Sequence, residues 1–238
     1  MAELKYKRVL LKISGESFCG PGGFGIHGEA LQSIADRLKQ VADLGVELAV
    51  VVGGGNILRG EAFSKNSHIP RHTADYMGML ATVINACALQ ETLEKLGQPS
   101  RVLSAIEVSA ISEPFIRRNA LKYLTEKNVT ILAGGTGNPF FSTDTCAALR
   151  ASELGMDVMI KATKVDGVYS EDPKSNPKAT LYDKLSYDDV LGQNLRIMDH
   201  AAVSLCRENH IPIIVLNIFK SGNITNALCG KNIGTTVS

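Results

Sequence analysis

The sequence predicts an α/β fold: an open, mostly parallel β-sheet sandwiched between helices, in three α/β/α layers. Short segments rich in β-branched residues alternate with longer stretches of helical period, the order that builds parallel sheets through crossover helices. The strand segments are apolar without alternation, as strands covered on both faces are. Three of them run straight into loops of small residues. A parallel sheet gathers such loops at one edge, where open α/β folds bind ligands.

Residues 6–13 open the chain as a strand. Residues 29–44 place Leu31, Ile34, Ala35, Leu38, Val41 and Ala42 on one face, the helical i, i+3, i+4 pattern, and Gly45 supplies the stop. Residues 46–52 are a second strand. Residues 75–96 form a long helix opened by Asp75 and followed by Gly97. It is apolar nearly all round, which suits a buried helix or one packed on other copies of the chain equally well. A strand over 101–106, a helix over 114–126 and a strand over 129–133 repeat the order. Residues 143–154 form a helix with Asp144 near its start, where capping is the simplest role. A strand over 157–162 follows. Ser186, Tyr187, Asp188 and Asp189 resemble a capping box. A helix over 199–209 and a strand over 211–218 complete the pattern. The loop-rich stretch 165–181, with Asp172-Pro173 and Asn176-Pro177, is too short for a free linker. The chain therefore reads as one domain over residues 1–238, with lobes over about 1–160 and 161–238.

The 238 residues carry 25 Lys and Arg against 24 Asp and Glu, a net charge of +1. That balance argues against a nucleic-acid or membrane-surface binder. Hydrophobic residues at 45% and charged residues at 21% support a sizeable core and exclude a disordered chain. Cys19, Cys87, Cys146, Cys206 and Cys229 include no C-x-x-C pair, so neither a zinc site nor a disulfide framework is indicated. Lys12 cuts the run Val9-Leu10-Leu11 short of a signal peptide's apolar region. No apolar run approaches the roughly 20 residues that a spanning helix needs. The expectation is a cytoplasmic globular protein.

The three small-residue loops are Ser14-Gly15-Glu16-Ser17, Gly53-Gly54-Gly55-Asn56 and Gly134-Gly135-Thr136-Gly137-Asn138-Pro139. Glycines there let backbone N–H groups approach an anion, and a following helix start adds a favourable dipole. One such loop is an ordinary tight turn; three at one edge point to a phosphate site. Gly20-Pro21-Gly22-Gly23-Phe24-Gly25 matches G-x-G-x-x-G but does not follow its strand immediately, so a dinucleotide fingerprint is not indicated. Residues 55–60 have P-loop spacing, yet Glu61 and Ala62 stand where Lys and Ser or Thr are required. Lys12 lies in an apolar strand, where an unpaired ammonium is costly; it reads either as a snorkelling or ion-paired lysine or, the favoured reading, as a cation that reaches phosphate from the strand end. Arg59, Lys161 and Lys164, taken singly, read as solvated surface charges. His68 and His72 are four apart, but Pro70 breaks the helix that would align them. Ser14 and Ser17 lack a G-x-S-x-G context, so nucleophilic catalysis is poorly supported.

Longer segments resemble the amino acid kinase fold family and, within it, the bacterial UMP kinases. The matching pieces are residues 11–16 (LKISGE), 53–60 (GGGNILRG), 74–82 (ADYMGMLAT), 135–144 (GTGNPFFSTD) and 161–169 (KATKVDGVY). They keep the family's order and span essentially the whole chain; residues 61–73 have no match. The resemblance implies phosphorylation of UMP to UDP by ATP with Mg²⁺, in pyrimidine nucleotide synthesis. It implies ATP-binding residues in Lys12, Ile13, Ser14, Gly15, Gly55 and Arg59, with Thr163, Tyr169 and Asp172 holding the adenosine. For UMP it implies Gly54, Asp75, Thr136, Gly137 and Asn138, then Pro139, Phe140, Phe141, Ser142 and Thr143. The two lobes become a UMP-binding and an ATP-binding lobe. Lys12, Arg59 and Asp144 become the catalytic set, with Asp144 orienting Mg²⁺ through water and no direct protein ligand. Gly20, Pro21, Gly22, Gly23, Phe24 and Gly25 resemble a GTP effector loop, and such enzymes are hexamers that UTP inhibits. Two rivals remain: a kinase of the same fold acting on a carboxylate or carbamate, and a non-catalytic sensor on the same scaffold.

Overall fold

The computed structural model describes residues 3–20, 23–171, 173, 175–176, 178–193, 195 and 197–238; Pro21, Gly22 and Asp172 lie outside them. The strands are β1 (Arg8–Ile13), β2 (Glu47–Val52), β3 (Ser100–Ser104), β4 (Glu113–Pro114), β5 (Val129–Ala133), β6 (Val158–Thr163), β7 (Lys184–Leu185), β8 (Ile213–Asn217) and β9 (Thr235–Val237). Among the described residues they form one nine-stranded sheet in the order β4-β3-β5-β2-β1-β6-β8-β9-β7. Every pairing is parallel except β8 with β9. The helices are α1 (Gly28–Ala42), α2 (Gly60–Lys65), α3 (Arg71–Lys95), α4 (Arg117–Thr125), α5 (Thr143–Leu154), α6 (Tyr187–Gly192), α7 (His200–Glu208) and α8 (Asn223–Leu228).

Strand side chains alternate between faces, and the two faces have separate cores. Val9, Leu11, Val50, Val52, Val158 and Ile160 pack with α1, α3 and α8 through residues such as Leu38, Leu89 and Leu228. Leu10, Val51, Met159 and Val215 pack on the other face with α4, α5, α6 and α7 through Leu124, Ala147, Val190 and Val203. The three-layer expectation is met. Lys12 and Lys161 share the parity of Leu10 and Met159, and they are paired across the β1–β6 ladder. Both ammonium groups are therefore aimed at the α5 side of the sheet.

Local chemistry moves some element boundaries. Helix α3 starts at Arg71, four residues before the expected start, because Pro70 with φ −59 occupies its N-cap. Asp75 thus lies a turn inside the helix and does not open it. Ser142, not Asp144, caps α5, its side chain accepting from Asp144 N and Thr145 N. The capping box at Ser186 and Asp189 is present on both sides. Pro114 sits in the short edge strand β4, where a missing N–H is tolerated, so α4 begins only at Arg117. Tyr169 and Leu181 are bridged antiparallel, which folds the 165–181 stretch back on itself. Among the described residues no helix is long and apolar enough to cross a membrane.

Ile160 is fully buried in β6, at the middle of the sheet. Ile160→Ala is expected to cost about 2–5 kcal/mol of stability, read as a lower urea midpoint. An unchanged midpoint would show that this strand does not centre the core.

Candidate active site

The carboxyl ends of β1, β2, β5 and β6 meet where the chain leaves β1 for β2 on one side and later adds β6 on the other. Open α/β sheets bind ligands at such a switch point. A cleft of about 940 Å³ lies there, lined by Lys12, Gly15, Gly54, Gly55, Asp75 and Lys161 among others. A second cleft of about 630 Å³ lies over the ends of β6 and β8, lined by Thr163, Tyr169, Gln193, Leu195 and Ile197. Lys161 and Thr163 line both. Two ligand-sized clefts thus meet at Lys161.

At the junction Asp144 lies between two lysines. Its Oδ1 is 2.8 Å from Lys12 Nζ and its Oδ2 is 2.7 Å from Lys161 Nζ. All three side chains are largely shielded, at 8%, 14% and 17% exposed for Lys12, Asp144 and Lys161. Lys12 makes a close ion contact with Oδ1 but no aligned hydrogen bond to it. Burial pushes the Asp144 carboxyl up, yet the charges of Lys12 and Lys161 together outweigh it and hold the pKa below the ordinary carboxylate value. Burial, with Lys12 adding to it, holds the Lys161 ammonium below the ordinary lysine value against the pull of Asp144. Lys161 also donates to Ile197 O, at the second cleft. The Asp199 side chain caps α7 and accepts from Ser142 Oγ and from Thr145 Oγ1, tying this segment to the α5 start.

The glycine loops come together as expected. A Cβ on Gly15 would lie 2.6 Å from Gly55 N, one on Gly53 2.7 Å from Gly15 N, and one on Gly54 2.7 Å from Gly78 O of α3. Backbone packs on backbone there, and no side chain fits between. Arg59, at the N-cap of α2, forms an exposed ion pair with Glu16 at the cleft mouth. Asp75 accepts from Arg71 Nε at 2.8 and 2.9 Å and from Phe140 N at 2.9 Å, which fastens the 134–143 loop to α3.

The cleft brings together Lys12, Ser14, Gly15, Gly54, Gly55, Arg59, Asp75, Thr136, Asn138, Phe141, Ser142 and Thr143, while Thr163 and Tyr169 line the second cleft. Asp144 sits at the junction through its lysines. Ile13 is different: its side chain is in the core and its carbonyl accepts from Gly53 N. Gly137, Pro139 and Phe140 do not line the cleft, and Phe140 is exposed at φ 71. Gly25 is pinned to Asn56 by Gly25 N donating to Asn56 O, while Phe24 next to it is exposed. Lys161 is the main correction: it is a shielded junction residue, not a surface charge. The signal was present, a lysine at the same depth and parity as Lys12 in another apolar strand.

The family model of the amino acid kinases matches residues 7–217. The chain belongs to the amino acid kinase family. Among solved members, a UMP kinase from Bacillus anthracis is 37% identical, with a TM-score of 0.94 over 98% of this chain and 96% of that one. A UMP kinase from Ureaplasma parvum is 36% identical, with a TM-score of 0.91 over 99% and 100% of the two chains. A uridylate kinase from Archaeoglobus fulgidus is 29% identical, with a TM-score of 0.73 over 97% and 99%. The family's catalysts are kinases, and this chain is an enzyme of that class.

Replacing Asp144 leaves two shielded ammonium groups without their anion. Asp144→Asn is expected to lose about 3–5 kcal/mol near neutral pH. Wild-type Asp144 supports stability above the ordinary carboxylate range, a contribution lost as pH falls through its lowered pKa. In the variant the deficit should shrink as pH rises towards about 10, because a lysine without its anion releases its proton more readily. Urea unfolding at several pH values measures this; a deficit absent at neutral pH would mean that the lysines do not depend on Asp144.

Proposed function

We propose that the enzyme transfers the γ-phosphoryl group of ATP directly to UMP, yielding UDP and ADP, in pyrimidine nucleotide synthesis. The observation that carries this reading is the meeting of two ligand-sized clefts at Lys12, Asp144 and Lys161. The larger cleft carries the 135–143 loop, whose sequence is the part of the chain most particular to UMP kinases, and solved relatives named as UMP kinases match over nearly the whole chain.

In this assignment the adenosine lies in the second cleft against Thr163 and Tyr169, within a C-terminal lobe, and UMP in the larger cleft of the N-terminal lobe. An oxygen of the UMP phosphate attacks the γ-phosphorus, the bond to the β–γ bridging oxygen breaks, and ADP leaves with that electron pair. The nucleophile is already anionic, so no general base is required. Phosphoryl transfer depends mostly on positioning and charge neutralisation. Lys12 and Lys161 supply fixed positive charge where negative charge migrates, and backbone N–H groups of Gly15 and Gly55 cradle the phosphates. Asp144 keeps the two lysines together and oriented. The Arg59–Glu16 pair is exposed and worth little, so Arg59 can exchange Glu16 for phosphate. Asp75 combines two tasks in this assignment, holding the UMP loop and accepting from the ribose hydroxyls.

Magnesium tends to keep several waters beside one or two carboxylates. Among the described residues no group of three His, Cys, Asp or Glu side chains could hold a metal. Asp144 already has an ammonium at each oxygen. In this assignment Mg²⁺ enters with the nucleotide, and Asp144, its oxygens engaged by the two lysines, would orient it through water. Regulation fits the same scheme: GTP activates through the effector loop, whose Gly25 is hydrogen-bonded to Asn56 beside the glycines of the phosphate loop, and UTP inhibits. A homohexamer is supported by α3, whose Tyr76, Leu80 and Ile84 form an exposed apolar row at helical spacing. The cytoplasm, where nucleotides are made, is the assigned compartment.

The test is a coupled ADP-release assay with UMP, CMP, AMP and N-acetylglutamate offered separately, on wild type and Lys12→Met. UMP should be the preferred acceptor, and Lys12→Met should fold normally, bind UMP and lose on the order of 100-fold or more in turnover. Preference for N-acetylglutamate would assign a carboxylate kinase. No turnover with any acceptor would favour the sensor.

A further inference from the structure

Two polar side chains on helix α3 take no part in the reaction above, and both are buried: Thr82 at 2% exposed and Asn85 at 0%. Three residues apart, they share one face of the helix. Thr82 Oγ1 accepts from Gly134 N at 2.8 Å while donating to Met79 O at 2.6 Å. Asn85 Nδ2 donates to Gly53 O and to Asn56 Oδ1, each at 2.7 Å, and Asn85 Oδ1 accepts from Asn56 Nδ2 at 3.0 Å. Asn56 Nδ2 also donates to Gly25 O at 2.9 Å. Each helix residue thus holds the first residue of a different glycine loop, Gly53 directly after β2 and Gly134 directly after β5.

These two glycines cannot be anchored by side chains of their own. A Cβ on Gly53 would lie 2.7 Å from Gly15 N, and one on Gly134, at φ 74, would lie 2.8 Å from Ile106 N. The close approach that lets these loops gather at one edge removes the usual means of fixing a loop, so their peptide groups need an outside partner. Buried polar groups on a helix must themselves be satisfied, and here both sides of that requirement meet.

We propose that Thr82 and Asn85 are positioning residues that set the two substrate loops independently. Thr82 fixes the 134–143 loop, and with it the nucleoside monophosphate. Asn85, through Asn56, fixes the loop whose Gly53, Gly54 and Gly55 line the larger cleft, and links it to Gly25. The assignment of each loop to a substrate rests on the UMP kinase reading; the control of each loop by its helix residue does not.

The test compares Thr82→Val, Thr82→Ser and Asn85→Leu in the full-length enzyme, reading KM for ATP and UMP, kcat, melting temperature and hydrogen exchange at Gly134 N. Thr82→Val keeps the shape and removes the acceptor. It should raise the UMP KM by roughly threefold to tenfold, the size of one lost hydrogen bond, and leave the ATP KM within about twofold. Thr82→Ser should restore it. Asn85→Leu should raise both KM values and lower kcat, because Gly53, Gly54 and Gly55 line the larger cleft beside Lys12. If Asn85→Leu fails to fold, the Thr82 pair decides. A lower melting temperature with unchanged KM values, or an equal rise for both substrates in Thr82→Val, would reduce these residues to structural filling and overturn the proposal. Should wild type not accept UMP at all, the functional reading fails instead; loss of exchange protection at Gly134 N in Thr82→Val would still support the positioning role, and retained protection would overturn it.

Discussion

Two lysine side chains are shielded from water side by side at the end of a parallel sheet, and a single carboxylate holds them there. Removing charge from water is expensive, and like charges brought together add to the cost. Lys12 and Lys161 are tolerable only because Asp144 sits 2.8 Å from one and 2.7 Å from the other. That requirement constrains the architecture around it. Strands β1 and β6 must be neighbours in a register that pairs Lys12 with Lys161. Helix α5 must then begin where its first turn overhangs both, a start fixed by the Ser142 cap and braced by Asp199. The result is an electrostatically prepared point at the contact between two clefts, and phosphoryl transfer needs positive charge there.

The rest of the site is built from backbone and would be shapeless without support. Gly15, Gly53 and Gly54 pack so closely that a Cβ on any of them would meet backbone, and Gly54 lies against the Gly78 carbonyl of α3. Helix α3 therefore serves as a common support. Asp75 near its start fastens the 134–143 loop through Phe140 N, and Thr82 and Asn85 reach the first residues of two glycine loops. The lysines supply charge and the helix supplies geometry. Asp75 belongs to both, since it is a charged group lining the cleft as well as a clasp.

Period and composition are enough to reveal the layers, the succession of main strands and helices along the chain and the three loops at one edge. Those properties follow from local pattern, since an apolar run without alternation has few alternatives to a doubly covered strand. Lys12 stands out because an unpaired ammonium in such a run is costly and asks for a partner. Lys161 stands at the same depth of its strand, but taken singly it reads as a solvated charge; pairing with β1 shows that the two lysines share a face and one carboxylate. Asp144 and Asp75 were misplaced for a related reason. Each stands close to a helix start, and the sequence favours capping for any aspartate there. Ser142, two residues before Asp144, and Pro70, five before Asp75, take those positions instead. The short strands β4, β7 and β9 and helices α2 and α8 carry too few residues for a periodic signal.

The proposed transfer requires that both nucleotides be held at once and that phosphate pass directly between them at the lysine pair, without resting on the protein. The stereochemistry at phosphorus tests this. With ATP whose γ-phosphoryl group is chiral through oxygen isotopes and sulfur, a single in-line displacement inverts the configuration found in the UDP product. The carboxylate between the clefts, Asp144, is taken up by Lys12 and Lys161, so inversion is the expected result. Retention would require two displacements and a covalent phosphoenzyme, and would contradict this account.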